Sequence, residues 1–416
     1  MLADLICVGN ELLTGLIENS NSGFLARRLW STGIPVRESI VVADDECSIK
    51  NALNRALEKS NLVIVTGGLG PTDDDLTRES VASILGLPLL VSEQWKTKLN
   101  QYFLARGIAM PQNNLKQAHV IEGSMLLENK RGTAPGLLIN HHNKIIVLLP
   151  GPPHEMQLIF DELVLPYIVK HNSSKLTKVK TLKCFGLGES ALEEKIKEFG
   201  GADLPALSYV ARGYEVNLQI KGSGDRYTAD AYINQIEQKI RAVVGDLIYG
   251  KDDDTLAGSV ADLLVRHNLT LALAESCSGG LLSDLLTDIP GSSRYYRGGL
   301  VAYSRSAKQN LLGVDKEILE RDGEVSEATA RAMAEQARSL FLADFGIGVT
   351  GIAGPESDAS QSPVGLVYIA VASPGGCACE QLTISGGRRV IKERAAQYAL
   401  AMLRKALLEA VREMQK

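Results

Sequence analysis

The stretch LALAESCSGG, residues 271–280, ends an apolar run on Ser276 and follows it with Ser278, Gly279 and Gly280. A serine there could attack a carbonyl carbon, but only with a base to take its proton. Histidine is scarce: His267 is the only one after residue 171, and it lies in RHN, the polar end of a helical stretch. A Ser-His-Asp arrangement is therefore poorly supplied, which leaves lysine or tyrosine. GGLVAYSRSAKQNLLG, residues 298–313, carries both, as Tyr303 and Lys308. Lysine is a general base only while partly neutral, against a free pKa of about 10.4. Burial at a strand end, with few carboxylates beside it, lowers that value. Gly279 and Gly280, opening a helix, offer N–H donors and the positive end of the helix dipole to an oxyanion or a phosphate. Taken alone, LALAESCSGG would favour a capping role for Ser276 and Ser278.

A second constellation is TGGLGPTDDDLTRES, residues 66–80. A buried strand ends in Gly67, Gly68 and Gly70, a turn with no side chains to keep a ligand away, and a helix is expected to begin near Asp75 or Leu76. Backbone N–H groups at such a turn suit phosphate oxygens. Asp73, Asp74 and Asp75 would repel a bare phosphate, so a divalent cation between carboxylate and pyrophosphate resolves the electrostatics. Each aspartate could equally cap the helix.

The elements that must position these residues fall into three blocks. The first alternates short β-type runs, LICVG (5–9), NLVIVTGG (61–68) and KIIVLLPG (144–151), with helical stretches such as NSGFLARRLWSTG (21–33). That rhythm predicts crossover connections and a mostly parallel sheet covered on both faces. The middle block reads strand (TLKCFG), helix (SALEEKIKEF), strands (ALSYVA, YEVNLQIKG) and a long amphipathic helix (ADAYINQIEQKIRAVVG), a small α+β domain. After the acidic KDDD at 251–254 the β/α alternation returns, up to a C-terminal helix over 394–416. In the third block two parallel strands ending at one sheet edge would bring Ser276 and Lys308 to one crevice. The expected domains are 1–168, 169–252 and 253–416.

Composition narrows the function classes. The 416 residues exceed one ordinary core, and 45% hydrophobic with 22% charged residues describes a folded enzyme-like chain. A net charge of -5 argues against non-specific nucleic-acid binding. No apolar run reaches membrane-spanning length and MLADLICVG lacks signal-peptide features, so a cytoplasmic location is expected. The six scattered cysteines match neither a zinc ribbon nor a disulfide framework.

The first block resembles the molybdopterin-binding family, and more closely the N-terminal domain of the CinA family. The motifs are GNELLTGLIENSN (9–21), VADD (42–45), GGLGPTDDDLT (67–77), NNLKQA (113–118), GTAPG (132–136) and LPGPPHEM (149–156). That resemblance implies a doubly wound α/β fold and an ADP-ribose pyrophosphatase activity dependent on a divalent metal. Asp75 falls on the catalytic aspartate, with Asp45, Asp74 and Asp75 as metal ligands. Glu11, Asn19, Gly67, Gly68, Gly70 and Thr72 fall on binding positions. The middle block resembles the KH-type domain of full-length CinA proteins, most recognisably in FGLGES (185–190). A nucleic-acid-binding KH loop has basic neighbours, whereas Glu189 follows here, so a structural or dimer-forming role is expected.

The third block resembles the CinA C-terminal, nicotinamide-nucleotide amidase domain, through ESCSGG, PGSS (290–293), AYSRSAK, GEVSE (323–327), GVTGIAGP (348–355) and PVGLVYIA (363–370). The implied reaction hydrolyses nicotinamide mononucleotide to nicotinate mononucleotide and ammonia, without a cofactor. Ser276 matches the nucleophile, Lys308 the base and Tyr303 a neighbouring hydroxyl. Glu275, Ser278, Gly279, Gly280, Thr350, Gly351 and Arg388 match substrate-binding positions, while Lys392 stands where an arginine is common. The expectation is a bifunctional hydrolase of small nucleotides, forming a homodimer and binding neither membrane nor nucleic acid. An amidase with a nucleotide-sensing N-terminal domain is one alternative. A DNA-uptake or repair accessory, which the family name suggests, is another, against which the lack of a basic patch counts.

Overall fold

The glycine-bounded apolar runs of the first block become the strands Ala3–Val8, Leu62–Thr66 and Lys144–Leu149, buried in the middle of a six-stranded sheet. The computed structural model describes residues 1–172, 176–200, 207–213, 215–224, 226–356 and 362–414. Ala206 and Tyr214 of the expected middle strands, and Gln415 and Lys416 of the expected last helix, lie outside the described residues. Two compact units result: Met1–Lys180 with Lys221–Gln235, and Thr181–Ile220 with Ile236–Lys416.

In the first unit the strand order is Val36–Val42, Ala3–Val8, Leu62–Thr66, Lys144–Leu149, Gly136–His141, Met125–Leu127. The first four are parallel, as the alternating pattern predicts, and the last two are antiparallel additions. The hairpin joining Gly136–His141 to Lys144–Leu149 turns at His142 and Asn143, both at positive φ, which fits the right-handed twist of the flanking strands. Successive side chains point to opposite faces, so each central strand feeds two cores. Ile6, Val63, Val65, Ile146 and Leu148 pack on one face, and Leu5, Leu62, Ile64, Val147 and Leu149 on the other. The chain runs from Ala3–Val8 out to Val36–Val42 and then back across to Leu62–Thr66. The connection therefore reverses direction between Ala3–Val8 and Leu62–Thr66, where doubly wound sheets open a crevice.

The middle block forms a four-stranded sheet, ordered Ser208–Arg212, Glu215–Gly224, Leu176–Phe185, Ile248–Lys251, with helices Glu189–Gly200 and Arg226–Val244. This is the α+β pattern expected, and FGLG lies at the turn into the first of those helices.

In the second unit a five-stranded sheet runs Tyr296–Val301, Leu271–Glu275, Phe345–Gly351, Leu366–Ser373, Gly376–Thr383, the first three parallel. Leu271 and Leu273 face one core, and Ala272 and Ala274 the other. Small residues on that second face let the helix Glu327–Leu340 lie close against the sheet. A Cβ at Gly346 or Gly348 would stand 2.1 or 2.3 Å from the helix carbonyls of Ala334 and Ala330. Direction again reverses between Leu271–Glu275 and Phe345–Gly351, at whose carboxyl ends Ser276 and Gly351 sit. The last helix, Arg388–Met414, begins earlier than its sequence pattern indicates. Among the described residues no helix is long and apolar enough to cross a membrane.

Candidate active sites

At the first crevice the glycine turn is dictated by crowding. Gly67 has φ +94, and a Cβ there would lie 2.1 Å from the carbonyl of Val8. One at Gly68, φ +64, would lie 2.3 Å from Thr77 Oγ1. Thr77 Oγ1 donates to the Gly67 carbonyl at 2.9 Å, and the buried Arg78 donates through Nη1 and Nη2 to that of Leu69. Two side chains of the following helix, neither singled out from sequence, thus hold the turn. A cleft of about 360 Å³ opens here, lined among others by Glu11, Gly67, Gly68, Gly70, Thr72, Asp74 and Asp75.

Helix Thr77–Leu85 begins with Leu76 as its cap residue and no side-chain cap, so the aspartates do not cap it. Asp75 Oδ2 instead accepts from Thr72 N at 2.9 Å and from Thr72 Oγ1 at 2.5 Å. The Thr72 hydroxyl also bonds Asp74, holding that carboxyl below its ordinary range. Two expected site residues have capping tasks. Asp45 caps helix Glu46–Lys59 through Ser48 N at 2.8 Å, and its neighbour Asp44 lines the cleft. Asn19 caps helix Ser20–Ser31 through Ser22 N at 3.2 Å, while Asn21 Nδ2 reaches the carbonyl of Gly151, a cleft residue, at 2.7 Å.

Burial pushes the Asp44 carboxyl upward, and Glu11, Asp74 and Asp75 push it in the same direction. That concentration of like charge is costly alone and is relieved by a cation. Glu11, Asp44, Asp74 and Asp75 are the carboxylates that line this cleft, oxygen donors of the kind a divalent ion takes. Among the described residues no group of three or more His, Cys, Asp or Glu is arranged so that it could hold a metal ion.

At the second crevice Ser276 is 6% exposed and its N–H donates to the Val349 carbonyl at 2.9 Å, tying it to the adjacent strand end. Strand Tyr296–Val301 ends level with it, and Ser304 caps helix Arg305–Asn310. That short helix carries Lys308 inward until it is 2% exposed. Burial lowers its pKa, against the opposing pull of Glu324, whose Oε2 lies 3.7 Å from Nζ. Glu324 stands in the GEVSE motif, but nothing in its spacing marks it as a partner of Lys308.

Several expected binding residues have structural tasks. The Glu275 carboxylate, 1% exposed, accepts from the N–H groups of Gly280, Leu282 and Ser283 at 3.0, 3.1 and 2.9 Å. It takes the capping role that LALAESCSGG, read alone, assigns to Ser276 and Ser278. Gly279 N–H donates to the Ser276 carbonyl, and Gly280 N–H to Glu275, so neither is a free oxyanion donor. These glycines serve by conformation, at φ +62 and +91. Thr350 Oγ1 donates to the Glu324 carbonyl at 2.8 Å, and a Cβ on Gly351 would press to 2.7 Å on the Leu366 carbonyl. Tyr303, 55% exposed, accepts from Arg388 Nη2 at 2.5 Å, and Arg388 Nη1 donates to the Gly354 carbonyl at 2.7 Å. Among the described residues the Ser278 hydroxyl, fully buried, has no hydrogen-bond partner. A Cβ on Gly279 would stand 3.2 Å from Lys392 Nζ, which puts a cation over the turn.

Comparison with known proteins matches each block. Residues 4–170 match the family described as a probable molybdopterin binding domain, 179–250 the damage-inducible protein CinA KH domain, and 253–407 the CinA C-terminal domain. A protein of Caldicellulosiruptor saccharolyticus described as competence-damage inducible is 43% identical over 410 residues, 98% of this chain and 100% of its own. One from Desulforudis audaxviator, similarly described, is 40% identical over 98% of this chain and 99% of its own. A competence or damage-inducible protein structure from Enterobacter asburiae is 35% identical over 37% of this chain and 99% of its own, with a TM-score of 0.36.

Proposed function

The chain belongs to the CinA family, and we propose that it is a bifunctional hydrolase: an amidase acting on nicotinamide mononucleotide at Ser276, and a divalent-metal-dependent pyrophosphatase acting on ADP-ribose at Asp75. The observation that carries the amidase reading is Lys308, a lysine 2% exposed whose burial depresses its pKa, on the helix that follows the strand paired beside Ser276. A soluble enzyme gains nothing in stability from such a lysine, whereas a general base needs one.

In this reading neutral Lys308 takes the Ser276 proton as Oγ bonds to the carboxamide carbon. The C–N bond then breaks, ammonia leaves with the proton returned from Nζ, and water releases nicotinate mononucleotide from Ser276. Arg388, beside Tyr303, and Lys392, over the Gly279 turn, would meet the nucleotide phosphate, Arg388 as a fork and Lys392 as a point charge.

At the first crevice, Glu11, Asp44, Asp74 and Asp75 would hold the metal. Once bound, the ion would supply Lewis-acid polarisation of the pyrophosphate and of an attacking water. Asp75 is held for its role by two bonds from Thr72, and the Gly67–Gly70 turn, which lines the cleft, would offer its backbone to phosphate oxygens. Incubating the full chain with nicotinamide mononucleotide, and separately with ADP-ribose and a panel of divalent ions, tests both halves. Ammonia release and metal-dependent cleavage are expected. An inert first reaction removes the amidase reading, and an inert second with measurable ADP-ribose binding favours a nucleotide sensor.

A further inference from the structure

Tyr303, the hydroxyl that the resemblance places near the base, accepts from Arg388 Nη2 at 2.5 Å. What stands beside Lys308 is a carboxylate, Glu324 Oε2, at 3.7 Å from Nζ. Glu324 sits on the loop between helices Lys316–Arg321 and Glu327–Leu340, and its place is fixed from several sides. Thr350 Oγ1 donates to the Glu324 carbonyl at 2.8 Å, and Thr329 Oγ1 donates to that of Gly323 at 2.6 Å. The anchoring Thr350 belongs to the same strand whose Val349 carbonyl receives the Ser276 N–H. One strand end therefore sets both the nucleophile and the loop that carries the carboxylate.

Resting on the amidase reading, we propose that Ser276, Lys308 and Glu324 form a relay in which Glu324 is a positioning residue that orients the Lys308 amine and stabilises its ammonium form during the reaction. When Oγ–H breaks, the proton moves to Nζ and Oγ bonds to the carboxamide carbon. On collapse the C–N bond breaks and ammonia departs with that proton. Glu324 neither gains nor loses a proton; it supplies fixed negative charge while Nζ is positive, as the third member of a nucleophile-base arrangement does.

The charges bearing on Lys308 are Glu324 and the Cys277 thiol. Burial pushes that thiol up to about 12, which leaves the Glu324 carboxylate as the partner the relay uses. It acts against burial: without it the amine would release its proton at lower pH. The relay thus sets a compromise between a base neutral enough to act and an ammonium stable enough to form.

The test uses the full chain with Glu324→Gln and Glu324→Asp. Two readouts are taken: the pH profile of amide hydrolysis, and the titration of the Lys308 ¹³Cε resonance, assigned with Lys308→Arg. With Glu324→Gln, the titration midpoint and the acidic limb of kcat should both move to lower pH by about one unit, a tenfold change in proton affinity. The plateau kcat should fall about tenfold with KM within about twofold, the pattern of an interaction made in the transition state. Glu324→Asp should recover part of both. An unmoved Lys308 midpoint in Glu324→Gln overturns the relay whether or not the substrate is right. If the wild type leaves nicotinamide mononucleotide intact, the amidase reading falls and the relay with it, while the titration reports separately whether Glu324 controls the lysine.

Discussion

Ser276 and Lys308 derive their character from where the backbone puts them. Both are buried, and Lys308 carries a depressed pKa because burial disfavours its charged form. Below the folded-state pKa the ammonium is held in the interior at a cost; as pH rises toward 10.5, the ordinary lysine value, that cost disappears. Lys308→Met should therefore abolish amide hydrolysis yet raise the melting temperature at neutral pH, with the gain shrinking toward alkaline pH in thermal melts. Glu324 is 41% exposed and is left solvated rather than stranded by that change. The same logic applies to Asp44, whose carboxyl is raised by burial and by Glu11, Asp74 and Asp75. Asp44→Asn keeps an oxygen for the N–H of Asn10, which Asp44 Oδ2 now accepts at 2.6 Å. Metal-free melts at neutral pH should show it at least as stable as wild type, and added divalent ions should raise its melting temperature less.

Elements decide which of the recognisable residues are chemical and which are structural. Glu275 reads from sequence as a pocket residue but caps helix Leu281–Thr287, because its strand ends directly below the helix N-terminus. Glu275→Gln should lower stability by about 1–2 kcal/mol, through the lost charge at a buried helix start, measurable by denaturant unfolding. Unchanged stability with a raised KM would restore the binding role. Gly348→Ala should cost about 1–3 kcal/mol, because the helix that frames the Glu324 loop has no room to retreat.

Much of this frame was legible. LICVG, NLVIVTGG and KIIVLLPG read as buried strands because glycine or proline breaks bound their apolar runs, and the two carboxyl-end crevices follow from parallel order. Less legible was whatever depends on a one-residue rotation. Asp44 and Asp45 are adjacent in VADD, yet only the fold shows that the second turns back to cap a helix while the first faces the cleft. Arg78 and Glu324 act through contacts across the fold that no spacing rule encodes.

At the scale of the whole chain, each proposed reaction is served by residues of its own sheet, so the two should be separable by single substitutions. Asp75→Asn should stop metal-dependent ADP-ribose cleavage and leave amide hydrolysis at the wild-type rate; Ser276→Ala should do the reverse. Both follow in one set of steady-state assays on the full chain, and a variant that silences both would contradict the separation. The most direct test of the central claim is chemical. Full-length wild type, Asp75→Asn and Ser276→Ala are mixed with nicotinamide mononucleotide, quenched in acid and mapped by peptide mass spectrometry. The account predicts a nicotinoyl mononucleotide ester on the Ser276 peptide of the first two, absent from the third, which also makes no ammonia. Substantial deamidation by purified Ser276→Ala, with no adduct in wild type when deacylation is slowed, would contradict it.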